Sequence, residues 1–323
     1  MRRRDFITLF AAAPFASSTA YAQTEGRTYR IGSLHTSPRS APNHVAFYDE
    51  LRRQGFVEGQ NLVVDERGYG LRPEQYTEHS EELVRAQVDL FVCAGELAVR
   101  TAQQATRTIP ILGNGADLLG SGLVRSLAKP GGNFTGVSFL ASELNGKRQE
   151  ILTEAVPAAR HVAALADVNF SSPQQLQMLD ELAHTRGRKF SVNLVTTVEE
   201  VPGAIEAAKS SGADALNVLA SPLLFNSRNI ILPRVAALGL PTIYEWAEVG
   251  DQGGFLAYGP RLAQIYRDVM ARQAVKLLRG AKPEDLPIEQ PTKFELVVNL
   301  KTATALGLTI PESFLLRADE VIE

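Results

Sequence analysis

Short clusters of polar and aromatic residues punctuate this chain, each closing a run rich in β-branched residues. They are His35-Thr36-Ser37, Gly95-Glu96, Asn114-Gly115-Ala116-Asp117, Asp167-Val168-Asn169, Ser221-Pro222, Glu245-Trp246 and Tyr258. The chemistry these groups suit is recognition. Hydroxyls and amides aim hydrogen bonds, and Tyr244, Trp246 and Tyr258 offer flat apolar faces to a ring. Glu96, Asp117 and Glu245 would act as general acid or base only if two of them converged, and read more simply as ligand contacts or surface groups.

Catalytic signatures are missing. The five histidines, His35, His44, His79, His161 and His184, are scattered without an HExxH pair, and the single cysteine, Cys93, cannot build a thiolate metal cluster. There is no G-x-S-x-G elbow, no G-x-x-x-x-G-K-[ST] phosphate loop and no G-x-G-x-x-G after the first strand. The expectation is therefore no enzyme, no catalytic residue, no metal and no cofactor.

The elements that would position these clusters alternate. Strands are expected at 29–34, 61–65, 88–94 and 109–112, with helices at 43–54, 73–87 and 96–106 between them, and this order argues for a parallel sheet covered by helices on both faces. After the Lys129-Pro130-Gly131-Gly132 turn and a strand at 134–139, the alternation starts again. Strands at 161–166, 191–196, 215–219, 242–245 and 254–258 alternate with helices at 144–155, 174–186, 204–210 and 228–238. A long helix over 262–278, a strand at 293–299 and a short helix at 301–306 complete the chain. Two halves on one plan are implied, and Thr108-Ile109-Pro110-Ile111-Leu112 has a faint echo in Leu240-Pro241-Thr242-Ile243-Tyr244. No low-complexity linker separates them, so two lobes joined by several strands are expected.

In an open parallel sheet ligands bind beyond the carboxyl ends of the strands, where the clusters lie. The candidate binding residues are thus His35, Ser37, Gly95, Glu96, Asn114, Asp117, Asn169, Ser221, Glu245, Trp246 and Tyr258. Helix starts expected near Gly95 and Gly115 add unpaired N–H groups for a ligand carboxylate. For Ser37, Asn114, Asp117 and Ser221 the plainer alternative is helix capping, and for the aromatic residues it is burial in the core.

Arg2, Arg3 and Arg4 precede an apolar run, Phe6 to Phe15, and the small-residue pattern Ala20-Tyr21-Ala22, which together read as an export signal cleaved after Ala22. The order Arg3-Arg4-Asp5-Phe6-Ile7 fits a twin-arginine signal and a general secretory one alike. Cleavage would move the formal charge from −3 to −5, a poor balance for a nucleic-acid partner. Cys93 sits in the apolar run Leu90-Phe91-Val92-Cys93-Ala94, far from the cleavage point, and reads as a buried core residue rather than a lipid-anchor site. A freely diffusing periplasmic monomer follows.

Three longer segments carry a family likeness: Gln104-Ala105-Thr106-Arg107-Thr108-Ile109-Pro110-Ile111, Leu127-Ala128-Lys129-Pro130-Gly131-Gly132-Asn133-Phe134-Thr135-Gly136, and Gln290-Pro291-Thr292-Lys293-Phe294-Glu295-Leu296-Val297-Val298-Asn299-Leu300-Lys301-Thr302-Ala303. With the arginine-rich start they resemble bacterial ABC-transporter substrate-binding proteins of the tryptophan/tyrosine-binding type, with the type I periplasmic binding protein fold. The resemblance implies an α/β protein of two Rossmann-like lobes with parallel central sheets, joined by a three-strand hinge near residues 138–142, 258–261 and 288–293. The implied division is a signal peptide over 1–22, one lobe from 27–138 plus 261–290, and another from 139–260 plus 291–323. It further implies the periplasmic component of an ABC importer, with a small molecule and an inner-membrane permease as partners. Departures exist. Where relatives carry Ser-Asp-Pro-Val this chain has Gly115-Ala116-Asp117-Leu118, where many have Asn-Pro it has Val168-Asn169-Phe170, and Glu245-Trp246 replaces small, polar or basic residues. An amino acid and an aromatic or hydrophobic carboxylate are then equal candidates for the ligand. A sensing module for a membrane receptor and a two-lobed enzyme are the alternatives.

Overall fold

The computed structural model describes residues 26–139 and 141–323. The expected signal peptide lies outside the described residues, as does Leu140 in the first expected crossing.

Strands β1 (Tyr29–Leu34), β2 (Leu62–Val64), β3 (Leu90–Ala94), β4 (Ile111–Gly115) and β5 (Phe134–Ser138) form a sheet in the order β2-β1-β3-β4-β5, all parallel. Helices α1 (Pro42–Arg53), α2 (Tyr76–Arg85) and α3 (Glu96–Ala105) connect the first four strands. Both faces of the sheet are covered, which is why β3 reads as an unbroken apolar run: Leu90, Phe91, Val92 and Cys93 are all buried. The strand at Ile111 starts later and ends later than its apolar residues suggest. Pro110 has no N–H to donate, whereas Asn114 and Gly115 still pair with Val137 and Ser138 of β5.

Helix α4 (Ala141–Ala155) leads into the second lobe, where β6 (His161–Asp167), α5 (Pro173–Thr185), β7 (Lys189–Val195), α6 (Val201–Ser210) and β8 (Ala215–Val218) repeat the alternation. Two short helices, α7 (Pro222–Asn226) and α8 (Arg228–Ala237), precede β9 (Thr242–Tyr244), and α9 (Ala247–Asp251) precedes β10 (Leu256–Gly259). The order β7-β6-β8-β9-β10 repeats the winding of β2-β1-β3-β4-β5. The two proline-led segments noted in the sequence accordingly open β4 and β9, which hold the same place in the two halves.

The chain then returns to the first lobe through α10 (Leu262–Ile265), a π-helical turn over Tyr266–Met270 and α11 (Ala271–Leu278), which pack on α1. The sequence reads this stretch as one uninterrupted helix; the wider turn is a departure that faces the site with Tyr266. Strand β11 (Glu295–Asn299) carries the chain back, followed by α12 (Leu300–Ala305), α13 (Glu312–Leu315) and β12 (Glu320–Ile322). β11 runs antiparallel to β10, so the second sheet is not wholly parallel. The reason is topological: β10 carries the chain out of the lobe, and the strand that carries it back beside β10 must run the other way.

Three crossings therefore join the lobes, after β5, after β10 and before β11. The last lies against the first, with Ser138 N–H donating to the Glu289 carbonyl and Glu289 N–H donating to the Gly136 carbonyl, both at 2.9 Å. At the second crossing Arg261 bonds Asp251, Glu295 and Glu320, tying β10's exit to α9, β11 and β12. Gly136 explains part of the Lys129 to Gly136 motif. Its φ is +154°, and a Cβ there would sit 1.7 Å from the Gly113 carbonyl oxygen, so no larger residue fits between β4 and β5.

Candidate functional site

Strand order reverses between β1 and β3 in one sheet and between β6 and β8 in the other. Each reversal splays the following loops apart and leaves a crevice at the carboxyl ends. The two crevices face each other and enclose about 670 Å³, part of its mouth included. Of this, only about 90 Å³ admits the centre of a water-sized sphere, so the space between the lobes is narrow.

The first lobe's wall starts at Thr36 and Ser37, just past β1. Gly95 caps α3 with φ +87°, a conformation glycine adopts freely, and its N–H donates to the Asn114 carbonyl at 3.0 Å. Glu96 opens α3. One of its carboxylate oxygens accepts the Asp117 N–H at 3.0 Å, and the other is buried with no hydrogen-bond partner. The buried Asn114 donates its amide to the Tyr266 hydroxyl at 2.8 Å, joining β4 to the π turn. Burial raises the Tyr266 phenol above its ordinary range, so it stays neutral.

The second lobe's wall comes from the ends of β8 and β9. Ser221 accepts the Leu224 N–H at 3.0 Å as the cap of α7 and also lines the cavity. Trp246 packs edge-on against Phe139, centroids 4.9 Å apart, and lies 6.0 Å from Phe225. Beside it Glu245 is buried. Burial pushes its carboxyl up to about 8, against the pull of the nearby Arg148 guanidinium and of hydrogen bonds from the Trp246 side chain and the Ser221 N–H. Arg148 itself is enclosed in the lobe, donating to the Tyr258 carbonyl and to Asn145 Oδ1, each at 2.8 Å. Burial lowers its guanidinium to about 10, still charged at neutral pH.

Of the residues expected from sequence, Ser37, Gly95, Glu96, Asn114, Ser221, Glu245 and Trp246 are brought together around this one cavity. His35, Asp117, Asn169 and Tyr258 are not among its lining. His35 lies behind the wall, stacked on Tyr69 at 5.2 Å and 4.4 Å from His44, and burial holds its imidazole well below the usual range and uncharged. Asp117 is exposed and accepts the Gly120 N–H at 2.8 Å, forming a turn where a helix start was expected after Gly115. Asn169 is exposed in the turn capped by Asp167. Tyr258 packs toward Phe294 on the hinge side.

Other lining residues escaped the reading of strand ends. Phe139 belongs to the first crossing, Phe225 and Asn226 lie one helical turn beyond Ser221, and Leu262 and Tyr266 come from the returning helix. A turn's offset from Ser221-Pro222 could have flagged Phe225 and Asn226. Nothing local marks Tyr266. Across the mouth, Asn226 donates its amide to the Thr36 hydroxyl at 2.7 Å, bonding one lobe directly to the other. Among the described residues no group of three or more His, Cys, Asp and Glu is placed to hold a metal ion, and no helix is long and apolar enough to cross a membrane.

Comparison with known proteins agrees with this architecture. The chain is 24% identical over 282 residues to the tyrosine-binding protein of Clostridioides difficile strain R20291, covering 86% of this chain and 80% of that protein. Among solved structures it resembles the ABC domain of Streptococcus pneumoniae in complex with L-Trp, with a TM-score of 0.79, 24% identity, and coverage of 91% of this chain and all of that one. It also resembles the ligand-free, open form of a substrate binding protein with adhesive properties from Clostridium difficile, with a TM-score of 0.63, 24% identity, and coverage of 91% and 99%. These likenesses show the type I periplasmic binding protein fold. Residues 43–322 match the family described as ABC transporter substrate binding protein, and the chain belongs to that non-enzymatic family.

Proposed function

We propose that this protein, exported to the periplasm, captures a small organic molecule with an aromatic or branched apolar body and delivers it to an inner-membrane ABC permease. The observation that carries this reading is the cavity walled by both lobes, with Trp246, Phe139 and Phe225 on one side and Asn114, Tyr266 and Glu96 on the other. A ligand touching both walls binds the closed arrangement better than the open one and shifts the population toward it. Affinity then includes the closure equilibrium, so residues of the three crossings influence binding without contact.

Magnitudes favour a ligand with a polar end. Burying an aromatic ring of roughly 150–250 Å² contributes about 4–6 kcal/mol at roughly 25 cal/mol per Å². Micromolar binding requires about 8 kcal/mol net of the cost of immobilisation, so the ring alone falls short. The hydroxyl, amide and carboxyl groups of the walls must supply the rest.

The test is purified protein from Gln23 onward, screened by thermal shift and calorimetry against aromatic and branched amino acids and carboxylates. A saturating ligand should raise the unfolding midpoint by several degrees and reduce the radius of gyration in solution scattering. No stabilisation across the panel, with scattering unchanged, would remove this reading.

A further inference from the structure

Among the described residues, the lining side chains that can carry charge near neutral pH are carboxyl groups. Among the described lining residues are two carboxyl groups, Glu96 from the first lobe and Glu245 from the second, and no lysine, arginine or histidine. Two arginines lie nearby without lining the cavity. Arg148 donates to the Tyr258 and Glu245 carbonyls and to Asn145 and pulls the Glu245 carboxyl toward ionisation, and Arg228 lies over the Phe225 ring with its Nε donating to Gln252. A ligand with only a carboxylate would bring a third acidic group into a desolvated space without a cation in its wall, which raises the cost of its charge. An ammonium group meets the opposite situation. It has three donors and no acceptor, and one Glu96 oxygen is buried with no donor to satisfy it.

We propose that the molecule taken by this cleft carries a protonated amine, recognised by Glu245 and Glu96, and that a carboxylate on the ligand is not required. This rests on the binding reading above and narrows it: the ring lies against Trp246, Phe139 and Phe225 while the amine faces the two carboxyls. An ammonium among aromatic rings also gains from their negative faces.

Proton release accompanies such binding. Because burial pushes Glu245 up to about 8, it is mostly protonated at neutral pH before the ligand arrives. The ammonium favours the ionised form, so a proton leaves to solvent. The groups that act on the Glu245 carboxyl are Arg148 of α4, the Trp246 side chain and the Ser221 N–H, all of which favour ionisation against the cost of burial; Asp167 of β6 holds Ser221, the Tyr258 phenol of β10 acts on Arg148, and Glu96 lines the same cavity.

Two sets of isosteres test the proposal by calorimetry on the purified protein: tryptamine, L-tryptophan and indole-3-propionate, and phenethylamine, L-phenylalanine and 3-phenylpropionate. In at least one set both amine-bearing members should bind, with the propionate at least fivefold weaker than the amine. Amine binding at pH 7 should release protons, read from the difference between buffers of unlike ionisation enthalpy. Glu245→Gln should abolish that release and weaken amine binding at least fivefold. Glu96→Gln gives a second variant, with at least fivefold weaker amine binding and proton release retained. A propionate binding within fivefold of its amine, an amino acid binding where its amine does not, or amine affinity unchanged in both variants would overturn the proposal and leave the cleft a binding site. Silence from all six compounds would overturn this proposal, and the binding reading falls with it only if the wider panel of aromatic and branched amino acids and carboxylates is silent too.

Discussion

Asn226 donates its side-chain amide to the hydroxyl of Thr36 at 2.7 Å, although the two residues are 190 positions apart and belong to different lobes. The bond exists only while the lobes are together, and it lies at the lip of the cavity that both residues line. It acts as a latch on the closed arrangement. Asn226→Ala should remove about 1 kcal/mol from closure, roughly fivefold in Kd, with little change in the midpoint of ligand-free unfolding. Calorimetry and thermal unfolding on the same preparation check it.

Gly95 combines a φ of +87° with a close approach to the other lobe, since a Cβ there would lie 3.6 Å from Pro222. With ψ at 157°, the conformation is one that side chains other than glycine's rarely tolerate. Gly95→Ala should cost about 1–3 kcal/mol in urea unfolding. Ligand affinity should fall as well, because the start of α3 and Glu96 move with Gly95.

The acid groups of the second lobe set a pH dependence with a definite sign. Glu245 is raised to about 8 in the fold against an ordinary value near 4.5, and burial raises Glu248 and Asp167 too. Between these limits the folded state holds more protons than the unfolded one, so stability without ligand should fall as pH rises from about 5 to 8 and level above that. Glu245→Gln should flatten the profile. Urea midpoints measured at half-unit steps for both proteins decide the matter.

Arg148 is enclosed, yet it donates to the Tyr258 carbonyl and the Asn145 side chain and lies near Glu245. Arg148→Ala leaves those acceptors without this donor and opens a void, with an expected loss of about 3 kcal/mol or more in urea unfolding. The Glu245 carboxyl should rise further once that positive charge is gone.

Trp246 is the single tryptophan of the chain, it is 7% exposed, and it lines the cavity between Phe139 and Phe225. Ligand entry should change its emission intensity saturably, with a midpoint matching the calorimetric Kd. Trp246→Phe keeps apolar cover but shortens it, and should weaken an aromatic ligand by about 1 kcal/mol.

The sequence by itself determined the alternation of strands and helices, the repetition of one winding in two halves, and the ends of strands where a site would form. These were legible because a strand buried on both faces must be apolar along its length, as Leu90 to Cys93 is, and because loops after parallel strands gather at one edge of the sheet. Ser37, Glu96, Asn114, Ser221, Glu245 and Trp246 are candidates on that ground, and all six line the cavity. Tertiary structure alone decided which neighbouring residues turn inward. His35 and Thr36 are adjacent, yet one packs behind the wall against Tyr69 and the other reaches Asn226. Asn114 and Tyr266 meet across 152 positions because the chain leaves the first lobe, builds the second and returns. Local pattern records whether a residue is buried, but the convergence of distant groups on one cavity depends on the order of strands in the sheets and on how the two lobes face each other, and neither leaves a periodic mark in the chain.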